Sequence, residues 1–300
     1  MRKLPVFRSV GEVFSGVTRH YFQLVFAAWP AVILIAVGLG VYIWAYGEAG
    51  FGDLFALVQS GASPEEIAAA MEAVDQRAVG PAYFASILLM FLASAVAAVR
   101  WHRFVLMGEQ SGALLRREDF RYIWSFIKTM VLYIAMIVVG GVIVAAIFGL
   151  AGLSGGDSGA AGFVIMAGGI AIIVGYLVVL GIFLRLMLAL PDAAVGGSGK
   201  VFAAFSASAG NTWRMVGYAI LIGIVFALAV IVVAVVVGLV SAMLGGGIVT
   251  TVLAAVVGLA AYFYFLMSQI TMLSVAYREI VGLPGGHEGE ATAAEPSPGL

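Results

Sequence analysis

The chain has 300 residues, of which 63% are hydrophobic and only 10% charged, whereas a soluble domain carries roughly a quarter charged residues. Water is therefore not its main solvent. A formal net charge of −1 argues against nucleic acid as a partner, which requires a concentrated excess of Lys and Arg. The absence of cysteine removes disulfides, thiolate metal sites and thiol nucleophiles together.

A helix needs about 20 apolar residues to cross the hydrocarbon core of a bilayer, and charge-free stretches of that length recur along the chain. An amphipathic segment, Phe7–His20, comes first and leads into a span at Phe22–Tyr46, with Pro30 as a kink point. The apolar run is too long and starts too late for a secretory signal, so this span is expected to stay in the mature protein. An outer insertion, Gly47–Gly80, contains Ser63-Pro64-Glu65-Glu66. A capping Ser, a first-turn Pro and two acids at the positive end predict a short outer helix to about Arg77. The second span is Pro81–Val99.

Phe120–Lys128 is again amphipathic, and spans follow at Thr129–Leu153 and Ala161–Leu184. Gly196-Gly197-Ser198-Gly199-Lys200 lacks the spacing of a phosphate-binding loop and follows no strand, so it reads as a flexible turn. A third amphipathic opening, Phe202–Arg214, precedes an uninterrupted charge-free stretch from Met215 to Tyr277. That stretch holds two spans, Met215–Leu244 and Ile248–Leu273, divided at Gly245-Gly246-Gly247. The tail from Gly282 to Leu300 has almost no large apolar residue and is expected to be disordered. Residues 1–281 thus read as one membrane domain.

The expected fold is all-α and polytopic: six transmembrane helices as three pseudo-repeated hairpins, each preceded by an amphipathic interfacial helix. Of the 15 Lys and Arg residues, only Arg77 falls on the side of the long outer insertion. Cations are retained on the cytoplasmic side, so both termini are expected there.

No chemistry-bearing motif emerges. His20, His102 and His287 lack ligand partners at helical spacing, so no metal or other cofactor is expected, and interfacial packing is the preferred role for His20 and His102. No Ser lies in a nucleophile elbow, so no catalytic residue is assigned and the chain reads as no enzyme. The six spans hold no charge. Gln269, with Ser268 and Thr271 beside it, reads as interhelical glue, and the pairs Ala171/Gly175 and Ala254/Gly258 as ordinary small-residue packing between helices of the chain.

The inner connections are richer. Arg100 and Arg103 flank Trp101, Arg121 adjoins Tyr122 and Trp124, and Arg214 follows Trp213. Aromatics at headgroup depth beside cations suit an anionic leaflet. Arg8, Arg19, Arg100, Arg103, Arg121, Lys128 and Arg214 are therefore the expected headgroup-binding collar, with membrane lipids, anionic ones above all, as partners.

The threefold arrangement, with WHRFVLMGE (Trp101–Glu109), LRLMLALPDA (Leu184–Ala193), GNTWRM (Gly210–Met215) and SVAYREI (Ser274–Ile280), resembles the bacterial glycerophosphoryl diester phosphodiesterase membrane-domain-like proteins. In that family such a region adjoins a separate catalytic barrel, which this sequence does not contain. The resemblance implies a six-helix accessory membrane domain and carries over no catalytic residue. The expected function is a non-enzymatic, membrane- or lipid-associated module; the alternative is a small-molecule transporter or channel, which a polar cavity reaching the bilayer midplane would distinguish.

Overall fold

The structure, a computed structural model, describes residues 2–73, 76–109, 116–153, 158–243, 245 and 248–282. It is all-α among those residues. The helices are α1 (Val6–Ala27), α2 (Trp29–Glu48), α3 (Phe51–Gln59), α4 (Pro64–Ala73), α5 (Gln76–Met107), α6 (Arg117–Leu153), α7 (Ser158–Met187), α8 (Ala189–Ala194), α9 (Val201–Ala207), α10 (Thr212–Met243) and α11 (Ile248–Ile280). Five of them, α5, α6, α7, α10 and α11, are long and apolar enough to cross a membrane, and the bent pair α1/α2 makes up to six. The chain is an integral membrane protein.

The expected first span is broken. Helix α1 ends at Ala27, α2 begins at Trp29, and the two are bent by 63°. Pro30 sits in the first turn of α2, where a residue with no N–H costs nothing, but it has no hydrogen bond with which to continue α1. The bend is held from outside: the indole Nε1 of Trp101 donates to the Leu24 carbonyl at 2.6 Å.

In the outer insertion, Ser63 and Glu66 form a reciprocal cap. The Glu66 N–H donates to Ser63 Oγ at 3.3 Å, and the Ser63 N–H and hydroxyl donate to Glu66 Oε2 at 2.8 and 3.0 Å. The capped helix α4 ends at Ala73, short of Arg77, which belongs to α5, and a second outer helix, α3, precedes it. The tail beyond Gly282 lies outside the described residues.

Three antiparallel pairs form the body: α2 with α5, α6 with α7, and α10 with α11. Their amphipathic openings are built differently. Phe7–His20 lies within α1, Phe120–Lys128 is the start of the continuous helix α6, and Phe202–Arg214 is divided between α9 and the first turn of α10. The phenylalanines that open the three, Phe7, Phe120 and Phe202, are all exposed.

The core lies at one end of the bundle. It joins Leu4, Val10 and Val13 to Leu184, Leu188, Met215, Tyr218, Ile222, Leu273 and Tyr277, and a second cluster packs α8 (Leu190, Ala193, Ala194) against Ala95, Val99 and Tyr122. Burial falls off toward the opposite end, where Phe148 of α6 still packs over Gly168 of α7, and the most apolar windows of α6 and α10 are almost wholly exposed. Helix α2 follows α5 closely: a Cβ at Gly38 would sit 3.2 Å from Leu89 Cβ. A Cβ at Gly175 or Gly258, by contrast, would meet nothing within 4 Å, and Ala171 and Ala254 are exposed. Those two small-residue pairs therefore do not pack helices of this chain together.

Candidate functional site: the basic collar at the packed end

The seven cations of the expected collar divide into three environments. Arg100 leaves the collar altogether. Its guanidinium is 0% exposed and forms a two-pronged pair with Asp119, also 0% exposed, at 3.1 and 3.0 Å. Asp119 in turn caps the start of α6 by accepting the Arg116 N–H at 2.6 Å. A charge pair closed off from both water and lipid cannot contact a headgroup; it locks α5 to α6. Trp101, expected at headgroup depth, is buried as well, because its indole is committed to the bend between α1 and α2. His102 is also buried, with Nδ1 against Ser274 Oγ at 2.7 Å.

Arg103, Arg121 and Lys128 are half-buried and spend hydrogen bonds on the protein's own backbone. Arg103 donates to Glu109 Oε2 at 2.8 Å and to the Ala194 carbonyl, where α8 ends, at 2.9 Å. Arg121 donates to the carbonyls of Gly196 and Gly197, each at 2.9 Å, and Lys128 approaches the Gly199 carbonyl at 3.4 Å. Ser125 adds its hydroxyl to the same Gly199 oxygen at 2.9 Å. The glycine loop expected to be a flexible turn is thus pinned by α6 from one side. From the other, Asp192 accepts the Gly199 N–H at 2.7 Å and the Tyr277 hydroxyl at 2.9 Å.

Glycine is required in that loop for two reasons. Gly199 has a φ of +59°, and a Cβ there would lie 2.4 Å from Ser125 Oγ; a Cβ at Gly197 would lie 2.2 Å from Asp192 Oδ1. The loop's carbonyls face cations because the end of a helix leaves acceptors unfilled.

Arg8, Arg19 and Arg214 remain exposed. Arg214 donates to the Leu4 carbonyl at 3.0 Å, and Asn211 grips the same N-terminal segment, accepting the Leu4 N–H and donating to the Arg2 carbonyl, each at 3.0 Å. This contact draws exposed Arg2 and Lys3 beside Arg214. Exposed Phe7, 83% accessible, and Trp213, 60% accessible, stand next to Arg8 and Arg214 in sequence. The result is a patch of cations and aromatics that the packed core does not use.

Sequence reasoning missed Arg185. It donates to Ser208 Oγ, Thr212 Oγ1 and the Phe205 carbonyl, and its guanidinium lies 3.7 Å from the Phe205 ring centroid. It also missed Asp119 and Asp192 as partners. The available signal was their setting: each is an acid within a basic inner connection, where a buried carboxylate needs a cation or hydrogen-bond donors to hold it.

Against known protein families, curated proteins and solved structures, the chain matches none.

Proposed function

We propose that the protein is a non-enzymatic, multi-pass component of the bacterial inner membrane that acts as a lipid-associated accessory module, with both termini cytoplasmic. The observation that carries this reading is the exposed patch at the packed end, where Arg8, Arg19 and Arg214 remain available while Phe7, Trp213, Trp124 and Phe202 present unburied rings. Each cation near an anionic leaflet contributes on the order of 1 kcal/mol, and exposed aromatics hold such a surface at headgroup depth. The role of an accessory membrane domain is also what the family resemblance implies.

The lipid-facing set is narrower than the full collar. Replacing Arg8, Arg19 and Arg214 with Gln is expected to reduce co-purifying anionic lipid, and the loss should deepen as salt is lowered in the wild-type comparison. Unchanged lipid content in a folded triple variant would reduce the patch to a topology signal. Orientation is tested separately: reporter fusions after Gly61 should report the periplasm and fusions after Gly199 the cytoplasm. A cytoplasmic signal from Gly61 would overturn the topology.

A further inference from the structure

A cleft of about 350 Å³ lies between α1, α5 and α11. Helix α1 gives it a stripe at every fourth residue: Glu12, Gly16, His20 and Leu24. The stripe follows one face of α1 to a kink at His20, whose backbone leaves the helical range (φ −112°, ψ 16°), and along it the chemistry changes from charge through imidazole to hydrocarbon. Helix α11 runs the other way, with Arg278 level with its ion-pair partner Glu12 and Thr271 toward the opposite end. Phe104 of α5 closes the third side, its ring edge-on to His20 at 5.6 Å.

Several polar groups here have capacity to spare. Arg278 contacts both Glu12 and Glu279, but through Nη2 alone among the described residues, so Nη1 and Nε are free to donate. His20 Nδ1 contacts Gln23 Oε1 at 2.5 Å. An amide oxygen only accepts, so Nδ1 is the donor in that contact, and in the tautomer this selects Nε2 is an acceptor. Thr271 is 4% exposed, and its hydroxyl has no hydrogen-bond partner among the described residues, a state that normally carries a cost. Gly16 keeps the middle of the cleft open, since a Cβ there would meet nothing within 4 Å.

We propose that this cleft binds a small zwitterion carrying an ammonium close to a phosphoryl group. Glu12 and His20 on α1 accept the ammonium, and the unused donors of Arg278 on α11 take the phosphoryl oxygens. The volume is at the lower end of the range of about 300–1,000 Å³ typical of ligand sites, which suits a headgroup-sized molecule and excludes a two-chain lipid held whole. The ligand is thus either a soluble zwitterion or the head of a lipid whose chains remain in the bilayer. This site uses none of Arg8, Arg19 or Arg214 and stands or falls apart from the anionic-lipid reading.

The test is native mass spectrometry of the full chain with O-phosphoethanolamine or phosphatidylethanolamine added, with ethanolamine and inorganic phosphate as single-charge controls. Uptake of the soluble compound marks a free zwitterion; uptake of the lipid alone marks a headgroup; either supports the site. A Cβ at Gly16 has open space around it, so Gly16→Leu projects into the cleft, and it is expected to weaken uptake about tenfold or more, as Glu12→Gln should by removing a charge-assisted contact. Helicity and melting temperature, measured in parallel, report that both variants fold. No uptake of either zwitterion, equal uptake of a control, or undiminished uptake by folded Gly16→Leu would overturn the proposal.

Discussion

The two ends of the helical bundle are made from the same long apolar helices and are held together in different ways. Helix α5 has 39% of its most apolar window buried; α6 and α10, over theirs, have 6%. Hydrophobicity does not explain the contrast, because α10 is the more apolar helix, with a mean hydropathy of 3.5 against 2.2 for α5. Between helices in lipid the hydrophobic effect supplies no attraction, since lipid tails are as apolar as leucine, and association falls to close packing and directional polar contacts. Those contacts sit at the packed end: Arg100 with Asp119, Arg185 with Ser208 and Thr212, Asp192 with Tyr277, Asn211 with the N-terminal segment. The outer halves of α6, α7, α10 and α11 carry few such groups and leave much of their apolar surface exposed.

If this account is right, the largest loss of stability should come from the polar lock and not from any apolar contact between the spans. Asp119→Ala leaves the Arg100 guanidinium buried without its counter-charge, and breaking such a pair costs about 3–5 kcal/mol. Thermal unfolding of the purified protein in detergent should register it as the most severe single variant. A melting temperature like the wild type would mean that water reaches Arg100.

Next in size is a direct contrast between the ends. Leu188 is fully buried in the packed core, so Leu188→Ala should cost about 2–5 kcal/mol. Val232, 62% exposed on α10, should tolerate Val232→Ala within about 0.5 kcal/mol. Equal effects in the same melting assay would mean that the outer halves are packed in solution and would erase the distinction.

The glycine loop should respond less strongly. At Gly199 the left-handed backbone alone penalises Gly199→Ala by about 1–2 kcal/mol, and the contact with Ser125 Oγ adds to this. Accelerated proteolysis between α8 and α9 would report the loosened loop; protection equal to wild type would show that the hydrogen bonds of Arg121 and Ser125 are not needed to hold it.

The smallest effect lies outside the packed end, at the cap of α4. Backbone and then side-chain hydrogen bonds from Ser63 hold the Glu66 carboxyl below its ordinary value. A carboxylate with a lowered folded-state value stabilises the fold above its unfolded value, and that contribution is lost as pH falls through the folded one. Hydrogen-exchange protection of α4 should therefore decline in mild acid, and Glu66→Gln should show no such decline. A pH-independent α4 in the wild type would rule out the ionised cap.

The legibility of the sequence divides along the same line. Long charge-free runs stand out because burying charge in hydrocarbon is costly, so the five long helices and the bend near Pro30 could be read in advance. The Ser63 cap was also visible, since all its atoms lie within four consecutive residues. What the seven collar cations do was not visible, because they look alike as letters. Arg100 and Arg8 differ only in what the fold places beside them: Asp119 meets one, and nothing in the core claims the other. The glycine loop was misread for the same reason, since the donors that pin it come from Arg121, Ser125 and Lys128, more than 70 positions away. Local composition determined which segments enter the membrane, because transfer into lipid is a sum over the residues of one helix. Tertiary structure alone decided which polar groups were consumed in joining those helices and which were left exposed, because a directional bond depends on where both partners end up.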